Sequence, residues 1–150
     1  MFPALCSLVQ CLLEDESLQS SFNNARGFTA IGAVVEEQSH QLHNSDLAQE
    51  SVKAGTDIFA FAANVDTLRV EVLGEGIIPI VLSLLNVTRI ESIITNALRF
   101  ISLMSIEPFA QSELIDSRDI DSLHSLMEQG EAYPQMSTAA SKCYSQLGGM

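Results

Sequence analysis

Residues 76–85 read GIIPIVLSLL and residues 96–104 read NALRFISLM, and the fold is predicted from these two stretches. In the first stretch, apolar residues occur zero, three, six and seven positions after Ile78. In the second stretch, they occur zero, four and seven positions after Ala97. They are Ile78, Val81, Leu84 and Leu85, then Ala97, Ile101 and Met104. Because both spacings follow the 3.6-residue period of an α-helix, they predict two amphipathic helices and exclude strands there.

Both stripes recur along the chain, which makes an internal repeat the main feature of the sequence. The first pattern returns at Phe28, Ile31, Val34, Val35 and at Ile120, Leu123, Leu126, Met127. The second returns at Ala4, Leu8, Cys11, at Ala54, Ile58, Phe61 and at Ala140, Tyr144, Leu147. A shorter helical stripe precedes each copy of the first pattern, at Leu18 and Phe22, Leu68 and Val72, and Ala110 and Leu114. The repeat therefore predicts units of three helices.

The spacing of the alanines that begin the second pattern gives the period, which is 50 residues for the first interval and 43 for the next two. We therefore predict a single domain over 1–150, with a lone third-type helix over 1–14 and units over 15–64, 65–106 and 107–150. The surplus of the first interval is assigned to a polar, mobile loop over 36–45.

Helix-breaking residues agree with these boundaries. Three prolines fall near predicted helix starts, where a missing N–H is tolerated; they are Pro79, Pro108 and Pro134. Three glycines fall at the predicted corner between the first and second helices, where a positive φ can be required; they are Gly27, Gly74 and Gly76. Gly55 lies inside a predicted third helix and indicates close helix packing.

The stretches 76–85 and 96–104 resemble the second and third helices of the armadillo repeat, and the resemblance covers nearly the whole chain. HEAT-type repeats are a related possibility. The resemblance implies a right-handed superhelical α-solenoid, since one unit cannot bury its stripes alone and must stack on its neighbours. It also implies that the third helices line an inner groove, where such proteins bind an extended peptide or a helix.

The candidate partner-binding residues lie on the third helices, two and six positions after each alanine. They are Gln10, Thr56, Arg99, Leu103, Lys142 and Gln146, together with Cys6 and Ala60. In the nuclear-import adaptors of the family, the matching positions carry ladders of Trp and Asn, which are absent here. Arg99 and Lys142 occupy equivalent positions one repeat apart, although solvated surface charges are the common alternative.

Composition limits the remaining function classes. The chain has 150 residues, 47% of them hydrophobic and 17% charged, and a mean hydropathy of +0.22, so it must bury a core. Its net charge of −12 argues against nucleic acid and anionic membranes as partners. We expect a cytoplasmic, reducing location, because three cysteines frame no disulfide pattern and no signal peptide or membrane-spanning run is present.

No catalytic or cofactor-binding motif stands out, so we predict no enzymatic activity, no cofactor and no metal site. His40, His43 and Asp46 resemble a loose metal triplet, but a polar loop is the preferred interpretation. The carboxylates of Asp116, Asp119 and Asp121 are interpreted as a solvated corner.

The three cysteines, Cys6, Cys11 and Cys143, are interpreted as packing residues. Asp57 interrupts an otherwise apolar third helix, so it is either exposed by a register shift or paired, because an unpaired buried carboxylate is costly.

The preferred function is a non-catalytic scaffold that binds another protein along the groove of third helices. One alternative is a compact, acidic helical enzyme or ligand-binding protein with an internal pocket. A second alternative is a purely structural segment of a longer solenoid. The lone first helix lacks a polar cap, so it is expected to be continued by further repeats, or adapted as a cap or as a contact for end-to-end self-association.

Overall fold

The computed structural model describes residues 2–116 and, beyond them, residues 121, 126–128, 138–142 and 145. Every regular element in this part of the chain is an α-helix, which confirms the all-α prediction. The helices are α1 (Phe2–Leu12), α2 (Glu16–Asn24), α3 (Gly27–Ser39), α4 (Asp46–Ala63), α5 (Asp66–Gly74), α6 (Ile77–Val87), α7 (Glu91–Met104) and α8 (Pro108–Asp116). Residues 126–128 and 138–142 are also helical.

The helices at the predicted third positions are α1, α4 and α7, and the term long helices is used below for these three. They pack in a row, with α4 in contact with both α1 and α7. α3 packs on α6, and each of these two helices also packs on the long helix that follows it. The rings of Phe59 in α4 and Phe100 in α7 lie with their centroids 6.2 Å apart inside this arrangement. Burial of apolar surface between neighbouring helices therefore holds the chain together.

The stripes that predicted α6 and α7 are buried as expected. Ile78 is 1% exposed, and Val81, Leu84, Leu85, Ala97, Ile101 and Met104 are fully buried. Ile120, Leu123, Tyr144, Leu147 and Pro134 lie outside the described residues. The two central stretches therefore form the core that their periodicity predicts.

The predicted stripe of α1 is wrong as a buried face. Ala4, Leu8 and Cys11 are exposed, whereas Cys6 is buried and Val9 packs on the core. The physical reason is that α1 packs on α4 with the Cys6–Val9 side. The opposite side of α1 remains in solvent.

The predicted loop over 36–45 is wrong for its first four residues, which belong to α3. Compared with α6 and α7, the first interval adds two residues to the end of α3, three to the connection and two to the start of α4. Leu42 anchors the connection, because its side chain is buried and its carbonyl accepts a hydrogen bond from Gln49 Nε2 at 2.8 Å. Most of the surplus therefore extends helices.

The corner before α6 has the predicted left-handed residue at Gly76, with a φ of 70°. At the corresponding corner before α3 the left-handed residue is Arg26, with a φ of 56°, so the prediction is wrong for Gly27. Gly27 is needed for space instead, since a Cβ there would lie 2.2 Å from the Phe22 ring. Gly74 has neither a positive φ nor a close neighbour.

Gly55, which lies in α4, confirms the close helix packing predicted at this position. A Cβ at this position would lie 2.3 Å from Val35 Cγ2, where α4 crosses α3. The absence of a side chain therefore allows the two helices to approach each other.

Two buried polar side chains, 50 residues apart, make equivalent hydrogen bonds. Gln19 Nε2 donates to the carbonyl of Leu13 at 2.8 Å, and Arg69 Nε donates to the carbonyl of Ala63 at 2.7 Å. Each bond ties a short helix, α2 or α5, to the end of the long helix before it. Arg69 also pairs with the carboxylate of Glu107, at 3.3 Å. The two hydrogen bonds from Gln19 and Arg69 satisfy carbonyls that the helix ends would otherwise leave unpaired.

Candidate partner-binding grooves

Two grooves lie on either side of the contact between α4 and α7. The first, here called the α1–α4 groove, has a volume of about 240 Å³. It is lined by Pro3, Cys6, Ser7 and Gln10 of α1 and by Glu50, Lys53, Ala54 and Asp57 of α4. The second, here called the α7 groove, has a volume of about 320 Å³. It is lined by Asn64, Thr95, Leu98, Arg99, Ser102, Leu103, Ala139 and Lys142.

The α7 groove brings together three of the predicted binding residues, Arg99, Leu103 and Lys142. Arg99 and Lys142 are exposed, so both cationic groups are available to a ligand. Leu98 is buried and Leu103 is half-buried, which gives the groove an apolar floor. An apolar surface beside two cations fits a ligand with both acidic and apolar groups.

The helical period of α7 explains why this surface forms. Thr95, Arg99 and Ser102 recur at intervals of four and three residues, so they share one side of the helix. Ala97, Ile101 and Met104 lie on the buried side. Residues 138–142 form the other wall through Ala139 and Lys142.

The structure contradicts the placement of Thr56 in an open groove. Thr56 is 1% exposed, and its Oγ1 accepts a hydrogen bond from Asn96 Nδ2 at 3.1 Å. The same hydroxyl lies 2.9 Å from the carbonyl of Val52 in its own helix. Ala60 is also buried. The close contact of α4 with α7 therefore divides the expected continuous groove into two.

The residues that face one another between successive long helices explain where the grooves open. In the register of the repeat, the Thr56–Asn96 pair corresponds to Cys6–Lys53 between α1 and α4, and to Arg99–Ala139 at the α7 groove. Thr56 and Asn96 are short, and they bond to each other. The residues of the other two pairs line the two grooves instead.

The α1–α4 groove contains the predicted residue Gln10, which is half-buried. Cys6 is buried in the wall, and this burial, together with the negative charge of Asp57, raises the pKa of the thiol to about 11. The thiol is therefore protonated at neutral pH and is a poor nucleophile. Asp57 is exposed, which resolves the two alternatives left open for this residue.

The remaining predicted residues lie apart from the grooves or outside the described part of the chain. Gln146 and Cys143 belong to the undescribed residues, as does Asp119. His40 and His43 are exposed, and Asp46 begins α4. Within residues 2–116 and the short described stretches beyond them, no three His, Cys, Asp or Glu side chains are grouped as metal ligands.

Sequence reasoning missed several residues that shape the grooves, above all Asn96 and Lys53. Their signal was present: Lys53 and Asn96 each lie immediately before the alanine that begins a third-helix stripe. Asn64 and Thr95 also line the α7 groove without having been predicted. Recognising them requires knowing which side of each helix meets the next one.

No protein-family model, curated protein or solved structure matches the chain. Among the described helices, none is both long enough and apolar enough to cross a bilayer by itself, while α5 and α6 reach that length and hydropathy only as a pair bent by 80°.

Proposed function

We propose that the chain is an armadillo-like α-solenoid that acts as a non-catalytic scaffold for another protein. The packing of α4 between α1 and α7, and of α3 on α6, supports stacked units. The equivalent hydrogen bonds of Gln19 and Arg69 support the same register. Stacked units of this kind present successive long helices as an extended binding surface.

The observation that carries the binding proposal is the position of Arg99 and Lys142 on one groove. The whole chain has seven Lys and Arg residues against nineteen Asp and Glu, and two of the seven line the α7 groove. The acidic remainder of the surface repels an acidic ligand, whereas these two cations attract it. The field of the protein therefore directs such a ligand to the groove.

The ligand that fits this surface is an extended peptide with two acidic residues and an apolar residue between them. The Arg99 guanidinium and the Lys142 ammonium bind the two carboxylates. The apolar residue lies on Leu98 and Leu103. An extended chain advances ~3.3 Å per residue, so acidic residues about three positions apart span the ~10 Å between neighbouring helices.

The test is selection of binders from a library of displayed random peptides on the wild-type protein. The expected winners carry paired acidic residues flanking an apolar one. Replacing both cations, Arg99→Glu with Lys142→Glu, should weaken the selected peptides at least about tenfold, or about 1.4 kcal/mol. Binding is measured by fluorescence anisotropy, and the melting temperature should not change, because both side chains are exposed.

A matched control separates the groove from the overall charge. The double variant Arg26→Glu with Lys53→Glu changes the net charge by the same amount at exposed residues outside the α7 groove. Its affinity for the selected peptides should stay within about threefold of wild type. Equal losses in both double variants, or winners without acidic residues, would contradict the proposal.

Solution scattering distinguishes the scaffold from a compact ligand-binding protein. A compact chain of this length has a radius of gyration of about 15 Å. The stacked arrangement predicts a clearly larger value and an elongated shape. A compact particle would favour an enzyme or ligand-binding protein with an internal pocket, whereas an elongated particle that enriches no peptide would favour a purely structural segment.

A further inference from the structure

The charged side chains that line the two grooves are of opposite sign. In the α1–α4 groove the carboxylates of Glu50 and Asp57 outnumber the single ammonium group of Lys53. The opposite wall of that groove, α1, contains no charged residue. In the α7 groove both charged side chains, Arg99 and Lys142, are cationic. One groove is therefore negative and the other positive.

The negative charge of Asp57 reaches across the α1–α4 groove. Its carboxylate is one of the two causes that raise the pKa of the Cys6 thiol, which belongs to the opposite wall. Asp57 and Glu50 are exposed, and neither forms an ion pair with another described residue. Lys53 lies between them along α4 without pairing with either. Both carboxylates are therefore available to a cation of a ligand.

The shape of the α1–α4 groove fits one long basic side chain. Cys6 is buried in its wall, and Pro3 and Ala54 are half-buried beside it. A lysine or arginine side chain lays its apolar stem on such a surface and keeps its charged end in water. The volume of about 240 Å³ is too small for a typical drug-sized ligand. The groove is therefore the size of a subsite within a longer binding surface.

The repeat register places both grooves on the same side of the row of long helices. Cys6 of the first groove and Arg99 of the second occupy corresponding positions, and so do Gln10 and Leu103. Corresponding residues of stacked units face the same way. A single extended ligand can therefore pass over both grooves.

We propose that the peptide bound by the α7 groove also carries a basic residue, which enters the α1–α4 groove and pairs with Asp57. This inference rests on the proposed function and adds a second subsite to it. A wholly acidic peptide is repelled by the first groove, and a wholly basic one by the second. A peptide with oppositely charged ends is attracted by both.

The helix spacing predicts how far apart the charges of the peptide lie. The α1–α4 groove opens between α1 and α4, whereas the α7 groove opens between α7 and residues 138–142. The grooves are therefore two helix spacings apart, which is ~16 to 20 Å. An extended chain advances ~3.3 Å per residue, so the basic residue lies about five or six positions from the middle of the acidic pair.

The test is a second selection, from displayed peptides in which two Glu residues flank a Leu and the positions on both sides of this core are random. On the wild-type protein, Lys or Arg should be enriched about five or six positions to one side of the core. On the Asp57→Lys variant, the same position should be enriched in Asp or Glu. Glu71→Lys is the matched control, because Glu71 of α5 is exposed and lines neither groove. It should leave the preference for a basic residue unchanged.

Affinity measurements show whether the basic residue contacts Asp57. Asp57→Asn should weaken the selected long peptide about three- to tenfold and leave a short peptide, which contains only the Glu–Leu–Glu core, within about twofold. Replacing the basic residue of the long peptide by Ala should cost the same factor. The two changes together should cost no more than one alone, because they remove the same interaction. Circular dichroism checks that each variant is folded.

The outcomes separate this inference from the proposed function. If the short peptide binds but no basic residue is enriched, or if Asp57→Lys leaves the preference unchanged, the second subsite is refuted and the acidic-peptide scaffold stands. If Glu71→Lys changes the preference as much as Asp57→Lys, the overall charge selects the peptide and the α1–α4 groove does not. If the short acidic peptide does not bind the wild-type protein, the proposed function fails and the second subsite with it.

Discussion

α1 and α7 carry the same sequence pattern and bury it differently. Leu8 and Ile101 occupy the same position of the stripe, yet Leu8 is about half exposed and Ile101 is fully buried. Two positions earlier the order is reversed, because Cys6 is buried and Arg99 is exposed. Periodicity therefore predicts that a helix forms, whereas the neighbouring helices determine which of its sides is buried.

The comparison extends to the contacts between successive long helices. α4 and α7 meet through the bonded pair Thr56–Asn96, and the surface closes there. α1 and α4 leave a groove around Cys6 and Lys53, which occupy the corresponding positions. Residues at corresponding sequence positions therefore form a closed, hydrogen-bonded contact in one place and line an open groove in the other.

The largest expected effect comes from truncating the equivalent residues of α7 and α1. Ile101→Ala removes a fully buried side chain and should lower the free energy of unfolding by about 2 to 5 kcal/mol. Leu8→Ala should lower it by less than about 1 kcal/mol, because Leu8 is about half in solvent. Urea unfolding measures both. Equal losses would mean that α1 is buried in solution.

The next effect concerns the closed contact. Asn96→Ala removes the donor to Thr56 Oγ1 and leaves that buried hydroxyl with partners only in its own helix. The expected loss is about 1 to 2 kcal/mol, measured by urea unfolding. Thr95→Ala is the control, since Thr95 is the exposed neighbour of Asn96 in the same helix, and its loss should stay within about 0.5 kcal/mol. A negligible loss for Asn96→Ala would show that apolar packing alone closes the contact.

The two regions also differ in how much their sequence discloses. The stripes of α6 and α7 are buried on the predicted side, because these helices pack on other helices. The stripe of α1 is equally periodic but is exposed, because burial depends on a neighbour that one helix cannot encode. Arg99 and Lys142, which share a register position in the sequence, both line the α7 groove, while their role in binding stays a prediction.

The errors in the candidate site have a similar origin. Thr56 lies two positions after its alanine, as Arg99 does, but its short side chain bonds with Asn96 and becomes buried. The period places a residue on one side of a helix; it does not give the distance to the next helix. That distance depends on side-chain size and hydrogen bonding across the contact, which are properties of pairs far apart in sequence.

A smaller effect distinguishes the two corners. Arg26 adopts the left-handed conformation that Gly76 adopts 50 residues later. For a residue with a Cβ, this conformation lowers the stability of the folded state by about 1 kcal/mol. Arg26→Gly should therefore raise the free energy of unfolding by up to about 1 kcal/mol, while Gly76→Ala should lower it by about the same amount. Thermal unfolding measures both variants. A loss of stability for Arg26→Gly would indicate that the arginine side chain makes a stabilising contact.

The smallest effect on the free energy of unfolding at neutral pH is expected from changes to the two cysteines of α1. Cys6 and Cys11 lie on opposite sides of this helix. The raised pKa of Cys6, about 11, means that the folded state retains this proton more tightly than the unfolded state, whose thiol titrates near 8.5. The contribution to stability is therefore complete below about pH 8.5 and is lost as the pH rises toward 11. Cys6→Ala should leave the slope of the free energy of unfolding against pH unchanged near pH 7. It should flatten the decline in the free energy of unfolding between pH 9 and 10.

Alkylation by iodoacetamide at pH 8, followed by peptide mass mapping, should label the exposed Cys11 well before Cys6. Equal labelling rates would show that the Cys6 side of α1 opens to solvent, and that the two sides of this helix are not distinguished by their contact with α4.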